Sequence, residues 1–189
     1  MPTIVLVRHG RTSANEQGIL AGRSPGVTLD EVGQSQATTL ATRLSTVPFA
    51  TIVTSPLERT RETAAHIHAQ QGQNASEVVV DERFIECDYG TWTGQSLATL
   101  AKESLWKQVQ SHPSAVTFPD GESLMAMGMR AVAAIREWNQ QSSDADVLAV
   151  ISHGDVIKAV LADALGMHLD AFQRLSFVPF SVSIVRYTE

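Results

Sequence analysis

Residues Thr3–Asn15 read TIVLVRHGRTSAN: five apolar or β-branched residues, then Arg8-His9-Gly10. A short, continuous apolar run is what a strand covered on both faces needs, because neither face meets water. The design returns far downstream in VLAVISHGDVIK, Val147–Lys158, where the run stops at Ser152-His153-Gly154. Two buried strands that each end in His-Gly imply one sheet whose carboxyl edge collects polar groups.

FATIVTS (Phe49–Ser55) and EVVVD (Glu77–Asp81) read as further strands of the same kind. SVSIVRY (Ser181–Tyr187) alternates and suits an edge or antiparallel strand. Helical stripes fill the intervals. Ala37, Leu40, Ala41 and Leu44 share a face, as do Leu57, Ala64 and Ile67. Leu124, Met127, Ala131, Ile135 and Trp138 make a third stripe. Ile157, Val160, Leu161, Ala164 and Leu165 make a fourth, closed by Gly166 as a C-cap. Ser55 and Pro56 fit the N-cap and first position of the second helix. Strands alternating with helices predict one α/β domain over residues 1–189, a three-layer α/β/α sandwich with a mainly parallel sheet. The segment 90–129 breaks the alternation, carries Trp92, Trp106 and Phe118, and is expected to cover a site.

Apolar residues make up 43% of the 189 and charged ones 18%, as in ordinary globular domains. A net charge of −6 argues against a broad basic surface for nucleic acid, but it leaves room for a small cationic pocket. Cys87 is the only cysteine, so no intrachain disulfide forms and nothing points to an oxidising compartment. The N-terminus lacks a charged segment followed by a long apolar one, and no apolar run approaches ~18 residues. The expectation is a cytoplasmic protein with no membrane partner.

In open parallel sheets, ligands bind beyond the carboxyl ends of strands, near the point where strand order reverses. Three strand ends carry polar groups: Arg8, His9 and Gly10; Thr54 and Ser55, with Arg59 one turn further on; and Ser152, His153 and Gly154. The glycines permit sharp turns and close approach of a ligand, and helices starting after such turns direct free N–H groups at an anion. A single strand-end histidine is usually structural, and a single arginine can be a surface ion pair. Two of each at one sheet edge require a counter-charge, which phosphate supplies bidentately. A fourth element is FIECDYGTWTG, Phe84–Gly94. Burial of Glu86 between Ile85 and Cys87 would raise its pKa and let it hold a proton near neutrality; otherwise Glu86 pairs with an arginine of the same pocket. Asp88 reads as a turn former before Gly90. His66 and His68 diverge on a helix, which argues against a metal site there. Met125, Met127 and Met129 read as packing residues or a flexible covering surface. Lys158 leans to a structural role. Arg23, Lys102 and Lys107 either meet a second anionic group or are solvated.

Together these residues resemble the histidine phosphatase superfamily, in the branch of cofactor-dependent phosphoglycerate mutases and small broad-specificity phosphatases. VRHGRTSAN, TLDEVGQSQA, TSPLERTRETA, ECDYGTWTG, FPDGESL and ISHGDVIK occur in that order and span nearly the whole chain. RHG alone arises by chance, whereas the ordered set is specific. The resemblance implies a phosphoglycerate mutase-like fold, His9 as the nucleophile that becomes phosphohistidine, and Glu86 as general acid and base. It implies that Arg8, Arg59 and His153 hold the phosphoryl oxygens, and that Asn15, Gly10, Gly22, Arg23 and Gly154 surround the substrate. It implies no metal and no cofactor, with a small phosphorylated substrate or inorganic phosphate as the bound partner, in a monomer or homodimer. SAN departs from the more usual WN, and Arg11 stands where relatives often carry an acidic residue. Hydrolases and mutases share these residues, but mutases of the family tend to be longer, with a tail closing the site. This chain ends at Glu189, directly after its last strand, so the expectation is a phosphomonoester hydrolase. A phosphomutase of the phosphoglycerate mutase type is the alternative. An inactive phospho-ligand binding module ranks third, because a binder needs neither nucleophile nor acid.

Overall fold

The computed structural model describes residues 1–72 and 76–187. Five strands form one sheet: β1 (Thr3–Arg8), β2 (Phe49–Thr54), β3 (Val78–Val80), β4 (Val147–Ser152) and β5 (Val182–Val185), in the order β3-β2-β4-β1-β5. The first four are parallel and β5 runs antiparallel to β1 at the edge. Alternate residues of the central strands feed two cores. Ile4, Leu6, Val53 and Val150 enter one; Val5, Val7, Ile52 and Ile151 enter the other. Both faces are therefore apolar, which is why these strands read as unbroken apolar runs.

Helices α2 (Glu31–Leu44) and α3 (Glu58–Ala69) pack together over the second core, through Leu40, Ala41, Ala64 and Ile67. Helices α6 (Leu124–Gln141) and α7 (Gly154–Ala164) cover the first, through Leu124, Met127, Ile135 and Val160. The result is the expected α/β/α sandwich. Helix α1 (Ser13–Glu16) follows β1. The segment between β3 and α6 holds the short helices α4 (Leu97–Leu100) and α5 (Ser104–Ser111). Its aromatic residues pack on one another: Trp92 stacks on Trp106 with centroids 6.2 Å apart, and Phe118 sits edge-on to Trp92 and Tyr89. Among the described residues no helix is long and apolar enough to cross a membrane.

Two local expectations need correction, and the alternatives for the methionines divide between residues. Helix α3 starts at Glu58, with Leu57 at its N-cap and Pro56 outside it. Ser55 does not cap it, because its hydroxyl lies against His153. Leu165 is not buried with the α7 stripe: it is the C-cap and is 64% exposed, while Gly166 just beyond takes the positive φ that ends the helix. Of the three methionines only Met127 is buried; Met125 and Met129 lie exposed, because a spacing of two residues turns a helix face away.

Candidate active site

The sheet order places β4 between β2 and β1, with Arg8 opposite Ser152 and Thr54 opposite Ile151. Three carboxyl ends therefore finish level. The ladder continues one residue further: His9 N–H donates to Ser152 O at 3.0 Å and Ser55 N–H to Ile151 O at 3.0 Å. These bonds fix the backbone from which the polar side chains project. The rings of His9 and His153 come within 5.3 Å, centroid to centroid.

The hydrogen bonds of His9 assign its tautomer. Nδ1 lies 2.7 Å from the Gly10 carbonyl, which can only accept, so Nδ1 carries the proton. Nε2 accepts from Arg59 Nε at 3.3 Å, so it presents a lone pair. Burial, then the charges of Arg59 and Arg8, hold the His9 pKa well below the ordinary value of 6.5. His153 is wholly buried, and its pKa is lowered by the same burial and by Arg59 and His9. Its Nε2 meets Ser55 Oγ at 2.7 Å, and its Nδ1 lies 3.3 Å from Arg59 Nη2 and 3.9 Å from Glu86 Oε2.

Arg59 reaches this cluster from the first turn of α3 and is 2% exposed. Its Nη2 donates to Gly22 O at 2.8 Å, and Arg8 Nη1 donates to Phe177 O. Arg59 Nη1 and Arg8 Nε are buried with no acceptor among the described residues. A buried guanidinium donor without a partner is costly, more so than a neutral one, and an anion between the two would satisfy both. Glu86 is also buried. Desolvation, reinforced by the negative charge of Asp155 and opposed by Arg59, pushes its pKa up to about 7. Its Oε1 accepts from Cys87 N–H at 2.9 Å.

A cavity of about 450 Å³ opens over this cluster. One part of its wall is polar, with Arg8, His9, Arg59, Glu86 and Asp155; another is apolar, with Leu20, Leu97, Trp106 and Phe118. Asn15, Gly22 and Gly154 also line it. The Asn15 oxygen is taken by Thr12 in the α1 capping box, so its amide N–H is what it can offer an anion. Gly22 has φ +51, a backbone setting that favours glycine, and a Cβ there would fall 2.8 Å from Thr93 Oγ1.

Several sequence expectations land elsewhere. His153 is fully buried against Ser55 and Arg59 and does not line the cavity. Gly10 is a packing residue: its N–H donates to Thr63 Oγ1 at 3.2 Å, and a Cβ there would meet the Phe180 ring at 2.0 Å. Arg23 does not line the cavity, because Glu122 and Asp88 draw it away, 2.9 and 3.6 Å off. Lys102 and Lys107 are exposed and off the wall. Lys158, read as structural, does line the cavity, held by Gln173 Oε1 at 3.0 Å and Asp155 Oδ1 at 3.4 Å. Arg11 pairs with Asp30 at 2.8 Å, which explains a basic residue in that position. Among the described residues no group of three or more His, Cys, Asp or Glu is arranged to hold a metal ion.

Sequence reasoning missed Tyr89 and Asp155. The Tyr89 hydroxyl donates to Asp155 Oδ2 at 2.8 Å, and both residues line the cavity. Asp155 had a signal, being the first polar residue after His153-Gly154 at a helix start; Tyr89 had none beyond standing near Glu86.

Residues 4–189 match the family model of the histidine phosphatase superfamily, branch 1. The chain is 30% identical to phosphoserine phosphatase 1 of Hydrogenobacter thermophilus, over all of this chain and 88% of that protein. It is 32% identical to a probable phosphoglycerate mutase, GpmB, of Yersinia enterocolitica, over all of this chain and 86% of that one. Among solved structures, Bacillus stearothermophilus YhfR superposes with a TM-score of 0.89 at 25% identity, covering 100% of this chain and 92% of that one. A phosphoserine phosphatase from Entamoeba histolytica, in complex with 3-phosphoglyceric acid, superposes at 0.85 and 25% identity, covering 97% and 90%.

Proposed function

The chain belongs to the histidine phosphatase superfamily, and from that premise we propose that it hydrolyses a phosphomonoester through a phosphohistidine on His9. One observation carries the reading: an unprotonated His9 Nε2 faces two arginines, Arg59 buried and Arg8 half-buried, whose buried Nη1 and Nε donors have no acceptor among the described residues, beside a carboxyl group able to hold a proton near neutrality.

In this reading the phosphoryl oxygens take the free donors Arg8 Nε and Arg59 Nη1, and Nε2 attacks phosphorus in line. The N–P bond forms as the P–O bond to the alcohol breaks. Fixed guanidinium charges offset the charge on the equatorial oxygens. The Nδ1–H bond to Gly10 O supports the positive charge that the ring acquires. Glu86 gives its proton to the leaving oxygen and then accepts one from water as that water attacks the phosphohistidine. Phosphate departs, and His9 returns to its starting tautomer. His153, fully buried, lies with Nδ1 3.3 Å from Arg59 Nη2 and helps hold that guanidinium in place.

The apolar part of the wall supports a substrate whose alcohol portion is uncharged and largely apolar. Arg23 is held by carboxylates and Lys158 by Asp155 and Gln173, so neither stands ready for a second anionic group. The likeness to a probable phosphoglycerate mutase keeps phosphoryl transfer to a second hydroxyl as the competing reading. Rapid quench with a labelled phosphomonoester tests both. The expected result is an acid-labile, alkali-stable phosphoenzyme that decays in water and is absent in His9→Ala. An intermediate that persists until a phosphoglycerate acceptor is added would establish the mutase, and label retained in His9→Ala would overturn the nucleophile.

A further inference from the structure

The main-chain carbonyl of Glu86 accepts from two guanidinium groups, Arg23 Nε at 2.8 Å and Arg130 Nη2 at 3.2 Å. Arg23 comes from the loop after α1, and Arg130 from the middle of α6. Glu122 joins them. Its Oε1 accepts from Arg23 Nη2 at 2.9 Å, from Arg130 Nη2 at 2.7 Å and from the Asp88 N–H at 2.9 Å, while Oε2 accepts from Arg130 Nε at 3.2 Å. Arg130 Nη1 also donates to Arg83 O at 2.6 Å. The backbone is thus gripped before, at and after Glu86. None of the three charged residues lines the cavity.

The same loop holds the phosphate side. Gly22 O takes Arg59 Nη2 at 2.8 Å, and the next residue, Arg23, takes the Glu86 carbonyl. Two consecutive residues therefore tie the guanidinium beside His9 to the backbone of the carboxyl group opposite. Among the described residues no side chain donates a hydrogen bond to aim that carboxyl: Oε1 accepts from the adjacent Cys87 N–H, and Oε2 lies 3.9 Å from His153 Nδ1. Its direction depends on where its backbone sits.

We propose that Arg23, Glu122 and Arg130 form a positioning clamp that fixes the Glu86 carboxyl against the phosphate site, so that proton delivery to the leaving oxygen, and not phosphate capture, depends on them. The proposal rests on Glu86 being the acid of the preceding reading. Proton transfer needs a heavy-atom separation of about 2.6–3.2 Å, and a misplacement of about 1 Å costs roughly 100-fold. Loosening the clamp should therefore slow the step that needs the acid and leave the anion site intact.

The test compares Glu122→Gln and Arg23→Met with wild type and with Arg136→Met, a control that removes another guanidinium–carboxylate pair from α6. Single-turnover phosphorylation is followed with an alkyl phosphate, whose leaving oxygen needs a proton, and with 4-nitrophenyl phosphate, whose leaving oxygen does not. Both clamp variants are expected to lose roughly 10- to 100-fold on the alkyl substrate and less than about 3-fold on the aryl one. The inhibition constant for inorganic phosphate should stay within about 2-fold of wild type, and the control should match wild type on both substrates. Equal losses on the two substrates, a weakened phosphate constant, or no loss at all would overturn the clamp. If Glu122→Gln does not fold by near-ultraviolet circular dichroism, Arg23→Met decides alone, since that side chain is one-third exposed on a loop. A wild type that forms no phosphohistidine with either ester would refute the function itself, a different outcome from active wild type with unaltered variants.

Discussion

Replacing Glu86 with Gln should stabilise the folded protein, and do so only above about pH 5. Burial raises the Glu86 pKa from an ordinary 4.5 to about 7. Between these values the folded chain keeps a proton that the unfolded chain has released, so the folded state binds more protons and stability falls as pH rises. The loss is absent below pH 4.5 and complete above pH 7. At about 1.4 kcal/mol per pH unit, the interval is worth about 3 kcal/mol. Glutamine has the same shape and can still accept the Cys87 N–H, but it does not titrate. The variant should match wild type at pH 4 and exceed it by about 3 kcal/mol at pH 8, or roughly 6–12 °C in Tm for a chain of this size. Calorimetric melts of both proteins from pH 4 to pH 9 would show this. The buffers must be phosphate-free, because an anion bound only to the folded state would raise both curves. A Tm difference that is constant across the range would refute the reasoning, as would a variant less stable at pH 8 than wild type.

The kcat/KM profile should be bell-shaped, falling above about pH 7 as Glu86 loses its proton and falling on the acid side as His9, with its pKa held below 6.5, gains one. Initial rates across pH would show it, and a profile flat through pH 8 would count against Glu86 as the acid. Activity should be unchanged by EDTA; loss with chelator and recovery with a divalent metal would rule out the arginine-based mechanism. Inorganic phosphate should raise the Tm of wild type by an amount that grows with log concentration. Arg59→Met should abolish that rise, and its persistence in the variant would mean the anion binds elsewhere.

The fold was legible because its strongest signal is local. The three central parallel strands, covered on both faces, must be apolar throughout, and the runs around Leu6, Val53 and Val150 are; Val78–Val80 is instead an edge strand with Val80 46% exposed, not the doubly covered strand its apolar run suggested. The chemistry at their ends was legible for the same reason: His9, Ser55 and His153 each follow a strand directly, so the register of the sheet brings them together. Arg59 followed from Ser55 by one helical turn. What escaped was settled by contacts between segments distant in sequence. The fate of Arg23 depends on Glu122, which lies 99 positions away, and on an arginine of α6. No periodicity connects them, so a lone arginine near a phosphate motif read as a substrate contact. Lys158 holds Asp155, in keeping with a structural role, but nothing in ISHGDVIK reveals that the segment Leu169–Arg174 returns to set Gln173 beside it and that Lys158 lines a cavity. Local rules also failed where function overrode them. Ser55-Pro56 is a sound helix start, yet the Ser55 hydroxyl is committed to His153, and the helix begins later.

The site's electrostatics are unfavourable in the resting protein, and that is informative about what it binds. Two histidines are kept neutral, a carboxyl is kept protonated to near pH 7, and two buried arginine donors lack partners among the described residues. A core repacked for stability would neutralise the arginines with Glu86 and leave that carboxyl with a depressed pKa. Here the opposite holds: burial, and after it the charge of nearby Asp155, push the Glu86 pKa up, although the Arg59 charge pulls it down. The carboxyl thus keeps a proton that it can give, as the proposed acid requires, while the guanidinium charge stays uncommitted. A phosphate dianion relieves the second strain and a leaving alkoxide relieves the first, so both costs are recovered only when an ester occupies the cavity. A passive phosphate binder would gain from the free arginines but not from a carboxyl held uncharged beside them. The pairing of the two is the reason hydrolysis, and not storage of the anion, is the reading that these residues support.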